Sequence, residues 1–185
     1  MAEPRTEVVE CDVLVIGGGM AGCGAAYEAA HWAKVKGLRV VLVEKAAIER
    51  SGAVAMGLSA INMYMGMKWG ENTPEDFVRY VRNETLGLSR EDLTFDIARH
   101  VDASVHMFEE WGLPFFKTPE GRYVREGRWQ VMIHGESYKP IVAEAAKAAI
   151  GDGNLFERVF ISHLLTDAND PNTIAGAVGF SVREN

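Results

Sequence analysis

An α/β fold with a parallel sheet is what this 185-residue sequence predicts. Three observations carry it: an apolar run at residues 11–16 that stops at three glycines, an Ala-rich stretch of helical spacing behind it, and a second apolar run at 38–43. Continuous apolar runs, as opposed to alternating ones, read as strands buried on both faces. Composition agrees, with 48% hydrophobic and 24% charged residues, which excludes a disordered chain. Two cysteines and no glycine period exclude a disulfide scaffold and collagen. No apolar run approaches the roughly 18 residues of a membrane helix, and the polar stretch Met1–Glu7 holds no secretory apolar region. The net charge of −7 argues against nonspecific nucleic-acid binding. Cys11 and Cys23 stand far apart with no CxxC, so no metal or iron–sulfur ligand set is expected, and a reducing, cytoplasmic compartment fits.

The elements follow in order. Cys11 to Ile16 is the first strand. Residues 20–36 form a helix, and Gly37 stands where the left-handed residue past its end belongs. Leu38 to Val43 is the second strand, completing a βαβ unit over 11–44. The stretch Ser51–Met67 has no period. Its glycines, Gly52, Gly57 and Gly66, suit a backbone packed close against something, and Met56, Met63, Met65 and Met67 read as gap-filling core. Thr73-Pro74-Glu75-Asp76 starts a helix, with an N-cap Thr, Pro at the first position and acids in the first turn. Ser89-Arg90-Glu91-Asp92 resembles a second capping box, followed by one apolar stripe of Leu93, Ile97, Val101, Val105 and Phe108. These two helices form an insertion over about 73–112. A ribbon, a helix and strands fill about 113–185. Gly112–Gly135 is the loop or β-ribbon, Pro140–Ile150 an Ala-rich helix closed by Gly151, and Leu155–Thr166 and Ile174–Val182 strands joined by an Asp-Pro-Asn turn. Two parallel strands are too few for a doubly wound sheet, so the sequence is expected to be the N-terminal part of a longer chain.

Gly17-Gly18-Gly19-Met20-Ala21-Gly22 matches G-x-G-x-x-G between a strand and a helix, and the acid Glu44 ends the next strand about 20 residues on. Each part has a physical task. Gly17 makes the tight turn, Gly19 lets backbone approach a pyrophosphate, and Gly22 lets helix and strand pack closely. The helix N-terminus offers free N–H groups and partial positive charge, here from Met20 and Ala21 onward. Glu44 accepts from ribose hydroxyls. The fold expectation is thus a Rossmann-like dinucleotide-binding domain with inserted helices and a β-ribbon. The pattern does not separate FAD from NAD, although a βαβ unit at the N-terminus favours FAD. A tight turn followed by a surface Glu is the bland alternative.

Glu44-Lys45-Ala46, Arg50-Ser51-Gly52-Ala53-Val54-Ala55-Met56-Gly57 and Ile61-Asn62 resemble the flavoprotein subunits of the succinate dehydrogenase and fumarate reductase superfamily. With Glu109–Pro114, Gly127–Gln130 and Gly135-Glu136-Ser137-Tyr138-Lys139, the run is more specifically similar to the alpha-subunit family of dissimilatory adenylylsulfate reductase. The resemblance implies an FAD-binding domain and an enzyme of sulfur metabolism. Such an enzyme interconverts adenosine 5′-phosphosulfate and sulfite plus AMP through a flavin N5–sulfite adduct. It implies noncovalent FAD, because Gly52 stands where covalent members carry His. It implies an iron–sulfur beta subunit holding the [4Fe–4S] clusters, and substrate-contacting Arg and His beyond Asn185. It also puts Lys45 over the adenine end, Ser51 with the backbone of Gly52 and Ala53 against the pyrophosphate or ring, Asn62 on the flavin ring, and the Ile161 backbone at the adenine.

Two other readings stand beside it: a fumarate reductase, succinate dehydrogenase or L-aspartate oxidase flavoprotein, and a non-catalytic nucleotide-binding module. Individual residues keep alternatives too. Asn62 is either a flavin contact or a satisfied loop residue, and Lys45 a solvated strand end. Trp129 reads as core or interface before cofactor contact. Arg122, Arg125 and Arg128 form an anion-attracting rim or a solvated ribbon face, and Glu136 and Tyr138 touch the flavin edge or do not. No histidine is assigned a catalytic role, and His100 and His106 fall off one helical face.

Overall fold

The computed structural model describes residues 5–183, so the first four residues of the polar N-terminal stretch lie outside it. In chain order come β1 (Val13–Ile16), α1 (Met20–Lys36), β2 (Val40–Glu44), β3 (Ala60–Ile61), α2 (Pro74–Glu84) and α3 (Glu91–Glu110). Then follow β4 (Arg125–Glu126), β5 (Gln130–Met132), α4 (Tyr138–Ile150), β6 (Leu155–Glu157), β7 (Val159–Thr166) and β8 (Ile174–Ser181). The chain divides into two units, Met1–Ala55 with Val142–Asn185, and Met56–Ile141.

The first unit is built on a parallel sheet of order β1-β2-β6, with Val13 opposite Val40 and Leu42 opposite Leu155. All five residues of β2 are buried, as the continuous apolar run predicts for the middle strand. Helix α1 turns Cys23, Ala26, Ala30 and Ala33 inward, a row of small side chains that brings it close to β1 and β2. Gly37 ends it at φ 67 with its N–H on the Ala33 carbonyl. The expected strand over 155–166 is two strands. Arg158, at φ 61, breaks it, so β6 pairs with β2 and β7 turns away to form an antiparallel hairpin with β8. One straight strand cannot serve both sheets, and the left-handed residue supplies the change of direction.

The second unit holds the antiparallel sheet β3-β5-β4 and the helices α2 and α3. Its core gathers Met65, Phe77, Ala98 and Trp129, with Met63, Val81 and Val101 packed around them. Trp129 meets Phe77 edge-on at 5.1 Å between ring centres, which makes it core. Of the four clustered methionines, Met65 is buried, Met63 is half-buried, and Met56 and Met67 are exposed. Helix α2 begins with the expected capping box: Thr73 Oγ1 accepts from Asp76 N–H, and Asp76 accepts from Thr73 N–H.

Helix α3 corrects two expectations. Its N-cap is Arg90, whose side chain makes no capping hydrogen bond, and the hydroxyl of Ser89, one residue earlier, is buried with no partner among the described residues. The apolar stripe sets the buried face only in its second half, where Val105 is buried and Val101 packs against the core. Leu93 and Ile97 are about half exposed, whereas Ala98, Asp102 and Val105 are buried. The reason is polar. The Asp102 carboxylate accepts from the N–H groups of Met65 (2.7 Å) and Met67 (2.8 Å), and this pins the helix rotation. Asn72 adds a bond to the Met65 carbonyl. Asp102→Ala is expected to destabilise by about 3 kcal/mol, since two backbone donors lose a charged acceptor. Asp102→Asn should fall between, with one acceptor oxygen left. An Ala variant that melts with the parent would show that the peg carries no weight.

Candidate functional site

In the first unit the glycine turn closes the carboxyl end of β1. Gly17, at φ 100, donates its N–H to the Val43 carbonyl on β2 (2.8 Å). Gly22 then faces back toward the turn: a Cβ there would lie 1.7 Å from the Gly17 oxygen. Helix α1 starts after Gly19 with no side-chain cap, so its first N–H groups, from Met20 to Gly22, have no intrahelical acceptor. The second small-residue segment comes up against this turn. Gly52, at φ 85, sits where a Cβ would be 2.9 Å from the Gly19 Cα. Glycine at 52 is therefore required by contact with the glycine turn, and no side chain can project from that position without moving it.

Glu44 is buried at the end of β2. Its Oε2 accepts from Gly18 N–H (2.5 Å) and its Oε1 from Ala46 N–H (2.7 Å). Burial by itself would raise its pKa. The N–H groups of Gly18 and Ala46, with the Ser51 hydroxyl and the Lys45 charge, outweigh that and hold the carboxyl below its ordinary value. A carboxylate has about four lone-pair positions, so acceptor capacity remains for a ligand hydroxyl. Gly18 was not singled out by its role in the motif. A Cβ on it would press Ile48 at 3.0 Å and Glu44 at 3.1 Å, and the third adjacent glycine is the sequence signal for that.

The remaining predicted residues fall as follows. Ser51 is buried and donates to the Ala47 carbonyl (2.8 Å), while Lys45 and Ala53 are exposed. Ile161 is half-buried on β7, opposite Gly179. Asn62 belongs to the second unit, exposed, with its Oδ1 accepting from Met63 N–H (2.9 Å). An uncapped helix N-terminus, a glycine-lined turn and an acid with a spare lone pair fit the pyrophosphate and ribose of a dinucleotide.

The second unit contains an open recess of about 700 Å³ lined by Met56, Gly57, Ser59, His134, Glu136 and Ser137. Gly57 and Gly135 meet backbone to backbone there, a Cβ on Gly57 lying 2.9 Å from the Gly135 oxygen. Arg122 and Arg128 of the ribbon stay about half exposed, as a solvated face predicts, whereas Arg125 is largely withdrawn from solvent, and each has a partner in its own unit. Arg125 pairs with Glu71 and donates to the carbonyl of Tyr64 (2.9 Å). Arg128 binds Asn72 (2.5 Å) and Asp76 (3.2 Å), and Arg122 stacks on Trp69 (4.9 Å). Acids, an amide and an indole of the same unit hold these cations, so they pin the ribbon to its own unit. Tyr123 donates to Glu109 (2.6 Å), so its oxygen accepts from His106 Nδ1 (3.0 Å), which assigns that ring nitrogen a proton. Tyr64, whose hydroxyl is buried without a partner among the described residues, has its pKa pushed up to about 12 by burial, with Asp102 adding to the shift.

Among the described residues no group of His, Cys, Asp and Glu is placed to hold a metal ion, and no helix is long and apolar enough to cross a membrane. Comparison with known proteins gives one family match, to the FAD binding domain, over residues 12–178. The adenylylsulfate reductase subunit alpha of Megalodesulfovibrio gigas is 51% identical over 207 aligned positions, covering 100% of this chain and 30% of that protein. The chain thus spans under a third of the curated relative it matches. The adenylylsulfate reductase structure from the hyperthermophile Archaeoglobus fulgidus superposes with a TM-score of 0.94 at 68% identity, over 98% of this chain and 29% of that one. A structure of adenosine-5-phosphosulfate reductase in complex with sulfite, as a covalent adduct, gives 0.92 at 68% identity, over 96% and 28%.

Proposed function

From the premise that the chain belongs to the FAD binding domain family, we propose that it forms the nucleotide-holding part of an FAD-dependent adenylylsulfate reductase. That enzyme interconverts adenosine 5′-phosphosulfate and sulfite plus AMP. One observation carries the cofactor half of this reading: the uncapped start of α1, closed under Gly52 and flanked by the buried Glu44. The relatives at 51% and 68% identity support the reaction.

In this reading the chain binds and orients. The N–H groups of Met20, Ala21 and Gly22 hold the pyrophosphate, over a turn that Gly17 and Gly19 keep free of side chains. Glu44 takes a ribose hydroxyl while staying ionised against Gly18 and Ala46. Lys45 lies at the adenine end, Ser51, Gly52 and Ala53 border the pyrophosphate or ring, and the Ile161 backbone faces the adenine. Asn62 is assigned to the flavin ring by its sequence motif. Bound FAD supplies the two-electron redox chemistry. With no side chain at 52, that FAD is noncovalent. An iron–sulfur partner subunit carries the [4Fe–4S] clusters that exchange electrons with it, in a cytoplasmic, reducing compartment suited to the thiols of Cys11 and Cys23.

The test uses the full-length protein. Acid precipitation should leave all the flavin in the supernatant; flavin retained in the pellet would refute noncovalent attachment. Sulfite should bleach the visible flavin band, and AMP should change the spectrum again. A flavin indifferent to both additions would shift the reading to the dicarboxylate enzymes of the superfamily, and a colourless protein would remove FAD altogether.

A further inference from the structure

We propose that Arg158 is a further adenine-contacting residue of this site, its guanidinium plane lying against the adenine ring of the bound dinucleotide. The inference rests on the FAD reading above.

Position comes first. Along the carboxyl edge of the sheet the order is β1-β2-β6. The pyrophosphate turn follows β1, the ribose acid Glu44 ends β2, and the chain leaves the next strand, β6, at Arg158. A dinucleotide laid from pyrophosphate to ribose reaches the β6 edge with its adenine. Arg158 is tied to that edge: its N–H donates to the Ala46 carbonyl (3.3 Å), two residues beyond Glu44. Its own carbonyl accepts from Val182 N–H (2.7 Å), so the backbone is held from both sides.

Strain comes second. Arg158 is one of three non-glycine residues at positive φ among those described, at φ 61. The left-handed conformation costs an L-residue about 1–2 kcal/mol, and glycine or asparagine would hold it more easily. An arginine kept there needs a return that the backbone turn does not provide.

The third observation concerns charge. Among the described residues the enclosed Nε of Arg158 has no hydrogen-bond partner and its guanidinium has no ion pair. Arg79, Arg82, Arg90, Arg99, Arg125 and Arg128 all face acids. The adjacent acid is already committed, Glu157 Oε1 accepting from Ile48 N–H (2.6 Å). A half-buried, unpaired guanidinium is weakly hydrated and is satisfied by a flat aromatic face. At the β6 end of the dinucleotide, the adenine is that face. The pyrophosphate lies two strands away, against the helix start.

The test compares FAD with FMN, which lacks the adenosine, on apoprotein prepared from the full-length chain, followed by quenching of flavin fluorescence. Arg158→Asn, whose side chain tolerates the left-handed region, should raise the Kd for FAD about tenfold and leave that for FMN unchanged. Arg158→Lys should not restore FAD affinity, since an ammonium has no plane. Arg158→Gly relieves the strain; it should melt no lower than the parent and still lose FAD affinity. Unchanged FAD binding in the Asn and Gly variants, full rescue by Lys, or an equal loss for FMN would each overturn the proposal while leaving the FAD site standing. A parent apoprotein that binds no FAD would overturn the reading beneath it.

Discussion

Gly22→Ala is expected to empty the nucleotide site and to destabilise the fold in one step. The added Cβ would lie 1.7 Å from the Gly17 oxygen and 2.8 Å from its carbon, far inside any real contact. The obstacle is backbone, so no side chain can swing away. Gly17 cannot yield cheaply either, because its N–H holds the Val43 carbonyl. Relief requires lifting the turn off β2 or tilting α1, at a cost of about 1–3 kcal/mol or more for forced overpacking. Either movement spoils the row of N–H groups at the helix start. Purified full-length Gly22→Ala should therefore carry less than about a tenth of the parent's flavin and melt several degrees lower. Gly24, two positions on, is the control. A Cβ there meets nothing within 4 Å, so Gly24→Ala should keep its flavin and gain up to about 1 kcal/mol of helix stability. Two alanines with equal effects would mean that the turn does not depend on contact at Gly22.

This contrast also shows what a sequence can and cannot disclose. The bounds of α1, the left-handed Gly37 and the buried β2 were legible because each follows from local chemistry: periodicity, a C-terminal glycine, an unbroken apolar run. The tight turn at Gly17 and the close packing at Gly22 were legible because the position of each is fixed by its offset from the strand. The rest depends on partners distant in sequence. Asp102 lies 37 residues from the Met65 N–H it accepts, and nothing in an apolar stripe announces that a buried carboxylate will set the helix face. The ribbon arginines are spaced like a rim, yet Glu71, Asn72 and Asp76 hold them from over 50 residues away. Arg158 sits inside a run that reads as one strand, and only the competition between two sheets for that run makes it a corner.

Glu44→Gln tests whether the acid serves the ligand alone or also the loop. In the folded chain its two oxygens satisfy two backbone donors, Gly18 and Ala46. Glutamine offers one oxygen, so its amide N–H₂ must confront one of those donors, at a cost of about 2–3 kcal/mol. The ribose loses a charged acceptor as well, and FAD affinity should fall at least about tenfold. The pH dependence separates the two roles. Because the folded pKa of Glu44 lies below its ordinary 4.5, the ionised form is the one that folding favours. Its contribution is complete above pH 4.5, and it is lost as the pH falls through the lowered folded value. The parent apoprotein should thus lose stability in acid over that window, and the Gln variant should lose less, having no group to protonate there. Parallel acid profiles for the two proteins would mean that Gly18 and Ala46 draw nothing from the charge, and that the carboxylate acts on the nucleotide only.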